Sequence, residues 1–195
     1  MNLSRHFTLE ELTASMTAQA EHIDNQPTAA GIAALRSLCT TVLDPLRDAL
    51  GQPIKVTSGY RGPALNRRVG GAAKSQHLTG EAADLQSPGL SVLALFQLAI
   101  RLRLPFDQII YEVNGAAKWV HISHTTGVNK GEILLGKFGP DGKVSYPKLT
   151  AAAALALSEP RTRDPLVEPD YTELRDEPVR RTRKPKAVVL QPGAL

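Results

Sequence analysis

Two short segments, Asp107 to Glu112 (DQIIYE) and Lys118 to Ser123 (KWVHIS), constrain the fold more than any other feature of this 195-residue chain. Both are rich in β-branched and aromatic residues, and Asn114 to Ala117 between them has the composition of a turn, so they read as the arms of a β-hairpin. A second pair, Glu132 to Phe138 and Lys143 to Tyr146, flanks Gly139-Pro140-Asp141-Gly142, whose residues favour the backbone angles of a tight reversal. Two hairpins predict strands that pair mainly with antiparallel neighbours.

Helical patterning comes before them. Thr8 and Glu11 form a capping-box pair with Phe7 as the staple residue, which opens a short helix toward Ser15. Ile32, Leu35, Leu38, Val42, Leu43, Leu46 and Leu50 recur near helical spacing across Ala29 to Leu50, where Pro45 is expected to kink or split the helix. Ile54, Val56 and Ser58 alternate as a short strand, and Pro63 to Val69 reads as a helical turn. Ala82 to Leu85 reads as a short buried strand and Leu90 to Leu102 as a strongly apolar helix. Helices followed by hairpin-paired strands define the class α+β, with a mostly antiparallel central sheet packed by helices.

Residues 1–150 carry this patterning and are expected to form one domain. Residues 151–195 are an Ala-rich segment followed by a Pro-rich, charged tail that holds five basic residues between Val179 and Lys186. Such a composition buries too little apolar surface to offset the entropy of ordering, so a disordered-looking tail is expected. The net charge of +4 has its densest run there, which makes nucleic-acid binding an unlikely function for the domain itself. The longest apolar run, Ala151 to Leu157, is far short of the roughly 18 residues of a membrane span. The start, MNLSRHFTLEELT, lacks a basic-then-apolar leader pattern, so synthesis as a soluble protein without a signal peptide is expected. A single cysteine, Cys39, excludes an internal disulfide framework and any Cys-only zinc site.

Chemistry-bearing residues concentrate between Ser58 and Gln86. His77 and Asp84 are too far apart to be neighbours on one helix face, but Gly80 permits a turn that brings the histidine toward an aspartate on the following strand. A carboxylate between Ala83 and Leu85 is costly to bury unless a metal or an arginine faces it, and Arg61 or Arg67 is one such partner. His121 lies mid-strand on the face shared by Trp119 and Ser123, where a histidine is either a hydrogen-bonded core residue or a ligand. Two histidines, one aspartate and an open fourth position match the donor set of a catalytic zinc site.

The pattern Ser75-x-His77-x-x-Gly80-x-Ala82-x-Asp84, preceded by Ser58-Gly59-Tyr60-Arg61 and Asn66 and followed by Trp119-Val120-His121, resembles the zinc D-alanyl-D-alanine carboxypeptidases and L-alanyl-D-glutamate endopeptidases. These are peptidoglycan metallopeptidases of hedgehog-like fold that include phage endolysins. The resemblance spans roughly residues 3–150 and does not extend to the tail. It implies that His77, Asp84 and His121 hold Zn2+, and that Arg61 orients a substrate carboxylate or carbonyl, for which its planar fork is suited. It also groups Tyr60, Ser75 and Trp119 with the substrate contacts and gives Asn66 the task of holding the Arg61 loop. The implied function is zinc-dependent hydrolysis of peptidoglycan stem or cross-link peptides in phage or prophage cell-wall lysis. The protein would be made in the host cytoplasm and act at the wall after release, or be carried in a virion with a partner held through residues 151–195.

One position departs from that family. The acidic base is expected three residues before the last histidine ligand, where this chain has Lys118, an ammonium that cannot readily accept a proton at neutral pH. Glu112, brought back beside the His121 strand by the hairpin, is the replacement expected here; the alternative is a strand-end surface carboxylate. Glu81 is a weaker rival because alternation points it to the opposite face from Asp84, and His124 is expected at the surface, or turned inward if the strand ends at Ser123. A non-catalytic binding or virion structural protein that retains the fold is the alternative function.

Overall fold

The computed structural model describes residues 1–139 and 143–159; the centre of the Gly139 to Gly142 turn and the expected tail beyond Glu159 lie outside the described residues. Six strands form one sheet: β1 (Lys55–Ser58), β2 (Ala82–Gln86), β3 (Gln108–Asn114), β4 (Ala117–Ser123), β5 (Glu132–Phe138) and β6 (Val144–Ser145). Their order is β1-β2-β4-β3-β5-β6. Every neighbouring pair is antiparallel except β3 and β5, which run parallel. The first hairpin forms as expected, with Asn114 paired to Ala117, and β5 pairs with β6 as the second. The mostly antiparallel α+β architecture therefore holds, with one parallel join that local patterning did not indicate.

The helices are α1 (Leu9–Thr13), α2 (Met16–Ala20), α3 (Ala29–Leu38), α4 (Asp44–Leu50), α5 (Pro63–Arg68), α6 (Val92–Arg101) and α7 (Ala151–Leu155). Thr8 and Glu11 make both arms of the capping box at α1. Between α3 and α4 the chain takes a π-helical turn over Cys39–Leu43, in which the Asp44 amide donates to the Cys39 carbonyl. Pro45 follows in the first turn of α4, where its missing N–H leaves few bonds unmade. The expected split at Pro45 thus takes the form of a widened turn just before it.

Strand alternation gives the sheet two unlike faces. Ala83 and Leu85 of β2, Ile109 and Tyr111 of β3 and Val120 and Ile122 of β4 turn one way and are all buried. They pack in one cluster with Leu35, Leu38, Val42, Leu43 and Leu46 from α3 to α4 and with Leu95, Phe96 and Ala99 from α6. Fully burying a side chain such as Phe96 contributes roughly 1.5–3 kcal/mol, so this face is the main source of stability. Residues 151–155, grouped by composition with the tail, form α7 and pack on α6: Ala154 is fully buried, and the Gln97 amide donates to the carbonyls of Leu157 (3.0 Å) and Ala154 (3.2 Å). One compact unit accordingly runs from Met1 to Glu159. The opposite face of the sheet carries Asp84, Glu112, Trp119 and His121, and it lines a cleft of about 740 Å³.

Candidate metal centre

His77 reaches the sheet from a 3-10 turn, Gln76–Thr79, that ends at Gly80 with φ 77°. A side chain at Gly80 would be strained in that left-handed conformation, and its Cβ would lie 2.6 Å from the Gly31 carbonyl oxygen. The tight exit returns the chain at once into β2, whose Asp84 is paired with His121 of β4. A bulge in β1 between Val56 and Ser58 places Ser58 opposite Asp84. The carbonyl of the next residue, Gly59, lies 2.7 Å from His77 Nδ1.

That last contact fixes the chemistry of His77. Only a protonated Nδ1 can donate to a carbonyl, so Nε2 carries a lone pair, and a backbone acceptor of this kind commonly orients a ligating imidazole. His77 Nε2 lies 3.2 Å from His121 Nδ1 and 3.4 Å from Asp84 Oδ1, and His121 Nδ1 lies 3.1 Å from the same carboxylate oxygen. These three atoms form a near-equilateral triangle. Tetrahedral zinc with ligand bonds near 2.05 Å requires ligand-to-ligand separations of about 3.3 Å. Hydrogen bonding cannot satisfy the triangle, because two of its corners are lone pairs and His121 Nδ1 has at most one proton to share between them. A cation satisfies all three. His77, Asp84 and His121 are 1%, 8% and 9% exposed and constitute the sole His/Cys/Asp/Glu group with metal-binding geometry among the described residues.

The electrostatics agree with that donor set. Burial pushes the His77 imidazole toward its neutral form, against the pull of Asp84, so it is ready to ligate. Burial alone would raise Asp84, but the facing His77 and His121 hold it below the usual carboxylate range. Two imidazoles, one carboxylate and a cleft open to a fourth ligand fit Zn2+.

Arg61, Ser75 and Trp119 also line the cleft. The Arg61 amide donates to the His77 carbonyl (3.0 Å), and its guanidinium reaches Ser75 Oγ at 3.5 Å. Its Nε is shielded from solvent and has no hydrogen-bond partner among the described residues. Trp119 meets Phe138 edge to face at 5.9 Å. Tyr60 is a correction: it is 7% exposed and packed in the core near Gly31 and Gly62, outside the cleft lining, because its strand exit turns the ring toward the helices. The Asn66 backbone amide donates to the Gly62 carbonyl (2.8 Å), next to Arg61, and its side-chain amide donates to the Ala72 carbonyl at 3.0 Å, bracing the 70–72 wall of the cleft.

Glu112 lies in the cleft, 7% exposed, with its carboxyl pushed up to about 7 by burial and by Asp84, against the opposing pull of His121 and Arg61. Lys118 points to the other face of β4 and pairs with Glu159, which the Tyr111 hydroxyl also approaches. His124 is not a surface residue: it is 7% exposed, with Nδ1 at 2.7 Å from the Pro105 carbonyl, and so is tied away from the metal site. Glu81 accepts from the Thr79 hydroxyl at 2.8 Å and lies outside the cleft lining. Phe138, Val144 and Tyr146 form a cleft wall that sequence reasoning did not assign. The signal for Phe138 was present, because Leu134, Gly136 and Phe138 alternate onto one face of β5.

An α+β sheet with a buried His-Asp-His triangle at the floor of an open cleft defines a metal-dependent protein. The chain belongs to the peptidase M15 family, whose family model matches residues 5–123. It is also similar to the zinc D-Ala-D-Ala carboxypeptidase of Streptomyces albus G, with 43% identity over 58 residues; that alignment covers 29% of this chain and 23% of the relative. Family and donor set together make zinc the cofactor. No helix among the described residues is long and apolar enough to cross a membrane.

Proposed function

We propose that this protein is a zinc metallopeptidase that hydrolyses peptide bonds in peptidoglycan stem or cross-link peptides. The observation that carries the reading is the triangle of His77 Nε2, Asp84 Oδ1 and His121 Nδ1, with edges of 3.1 to 3.4 Å at the floor of a solvent-open cleft. When bound there, zinc supplies Lewis acidity to water and to the scissile carbonyl. Glu112 accepts a proton from the attacking water and returns it to the leaving amine, a role suited to a carboxylate buried in the cleft that the metal ligands line. Arg61 lines the cleft and fixes a substrate carboxylate or carbonyl, with Ser75 steering its guanidinium. Trp119 and Phe138 supply an apolar wall against the peptide.

The placement of Lys118 favours this catalytic reading over a non-catalytic protein that retains the fold. The ammonium faces away from the cleft, and a carboxylate from the adjacent strand occupies it. We assign the activity to phage or prophage cell-wall lysis on the resemblance to endolysins. The test is His77→Ala in the full chain: zinc content and release of peptides from purified cell wall should fall together. Full hydrolysis by the zinc-free variant would overturn the assignment.

A further inference from the structure

We propose that Gly136 is a positioning residue whose missing side chain is the space that holds the Glu112 carboxylate in the cleft. The inference rests on the proposed role of Glu112 as the base. Gly136 lies inside β5 and is in register with Glu112 on the parallel neighbour β3. It alternates with Leu134 and Phe138, both of which line the cleft, so a side chain at 136 would emerge on the same face. A Cβ at that point would lie 2.9 Å from Glu112 Cγ, closer than packed carbon atoms sit, and 3.4 Å from its Cδ and Cα.

Nothing else in the backbone requires a glycine there. Gly136 is not among the residues with positive φ, so any L-residue could adopt its conformation. Glycine in a strand interior sacrifices backbone entropy and cross-strand packing, and where it occurs it often marks a close approach by another group. The group that approaches here is Glu112. On its other flank Glu112 is paired with Trp119 of β4, so the carboxylate sits between a large indole and an absent side chain. A methyl group at 136 would remove the free side of this slot, and the indole blocks retreat toward β4. A local rule of strand composition is broken at the one position where the proposed base needs room.

Three measurements on the full chain test this. In zinc-free protein labelled at glutamate with 13C, Gly136→Ala should shift the Glu112 carboxyl resonance. With zinc bound, the same variant should lower kcat on a soluble muropeptide on the order of 10- to 100-fold, leaving KM and zinc content near wild type. A double-mutant cycle covers the case in which Gly136→Ala folds poorly: it should lower Tm when Glu112 is present and leave Tm unchanged or raise it in a Glu112→Ala background. An unshifted Glu112 resonance, or the same Tm change in both backgrounds, would overturn the proposal. Wild-type turnover by Glu112→Gln would instead overturn the base assignment, and the resonance and the Tm reversal would still decide the role of Gly136.

Discussion

The two faces of the sheet are made from the same strands, yet they obey different rules. On the helix-packed face, Leu85, Ile109, Val120 and Ile122 are apolar, buried and in contact with apolar neighbours, so each local preference agrees with the fold. On the cleft face, Asp84 and Glu112 are buried carboxylates, and Gly136 interrupts a strand. These residues oppose folding locally, and their environment is tolerated because the other face supplies the stability. The difference separates two experimental signatures: damage to the packed face should lower stability and spare the chemistry, whereas damage to the cleft face should do the reverse.

The largest separation is expected from Asp84→Ala, which removes one corner of the triangle. Hydrolysis should fall to background and zinc should be lost on dialysis, as read by metal analysis and muropeptide release. On the packed face, Phe96→Ala should cost about 3–5 kcal/mol of unfolding free energy by denaturant titration, with specific activity retained by the folded fraction. Glu112→Gln should keep zinc and lose roughly 10²- to 10⁴-fold in kcat. In zinc-free protein it should also gain stability at pH 8. Burial raises the Glu112 carboxyl to about 7 in the folded chain, so the fold prefers the protonated form, and stability declines as pH rises from the unfolded value through about 7. Denaturant midpoints at pH 5 and pH 8 should therefore differ less for Glu112→Gln than for wild type.

Activity should follow a related pH dependence. Glu112 must be ionised to accept a proton, so turnover should fall in acid, at a midpoint that bound zinc moves below the zinc-free value of about 7. His77 resists protonation because it is buried, so zinc should be released only at lower pH; separate midpoints for turnover and zinc content would show this. The smallest effect is expected at Lys118→Ala. Its partly exposed pair with Glu159 lies off the cleft, so the denaturant midpoint should barely move and turnover should be unchanged.

The packed face was also the more legible one in the sequence. Its helices and hairpins follow from local periodicity, capping and turn chemistry, as at Thr8 to Glu11 and across Asn114 to Ala117. His77, Asp84 and His121 were candidates because polar ligand types interrupt apolar or glycine-rich stretches, and it was the resemblance to the zinc peptidases that joined them into one ligand set. The parallel pairing of β3 with β5 had no local signal, since it depends on a non-local crossover; the alternation of Leu134, Gly136 and Phe138 was visible, but not that their face meets Glu112 across this join. Tyr60 and His124 were misplaced for a related reason: which way a residue turns just beyond a strand end is set by tertiary contacts rather than by alternation.

Mass spectrometry of muropeptides from purified sacculi treated with the zinc-loaded protein, beside a chelator-treated control, tests the central claim most directly. New peptide termini should appear with zinc and be absent with chelator. Intact stem and cross-link peptides after treatment with protein carrying one zinc per chain would contradict the claim.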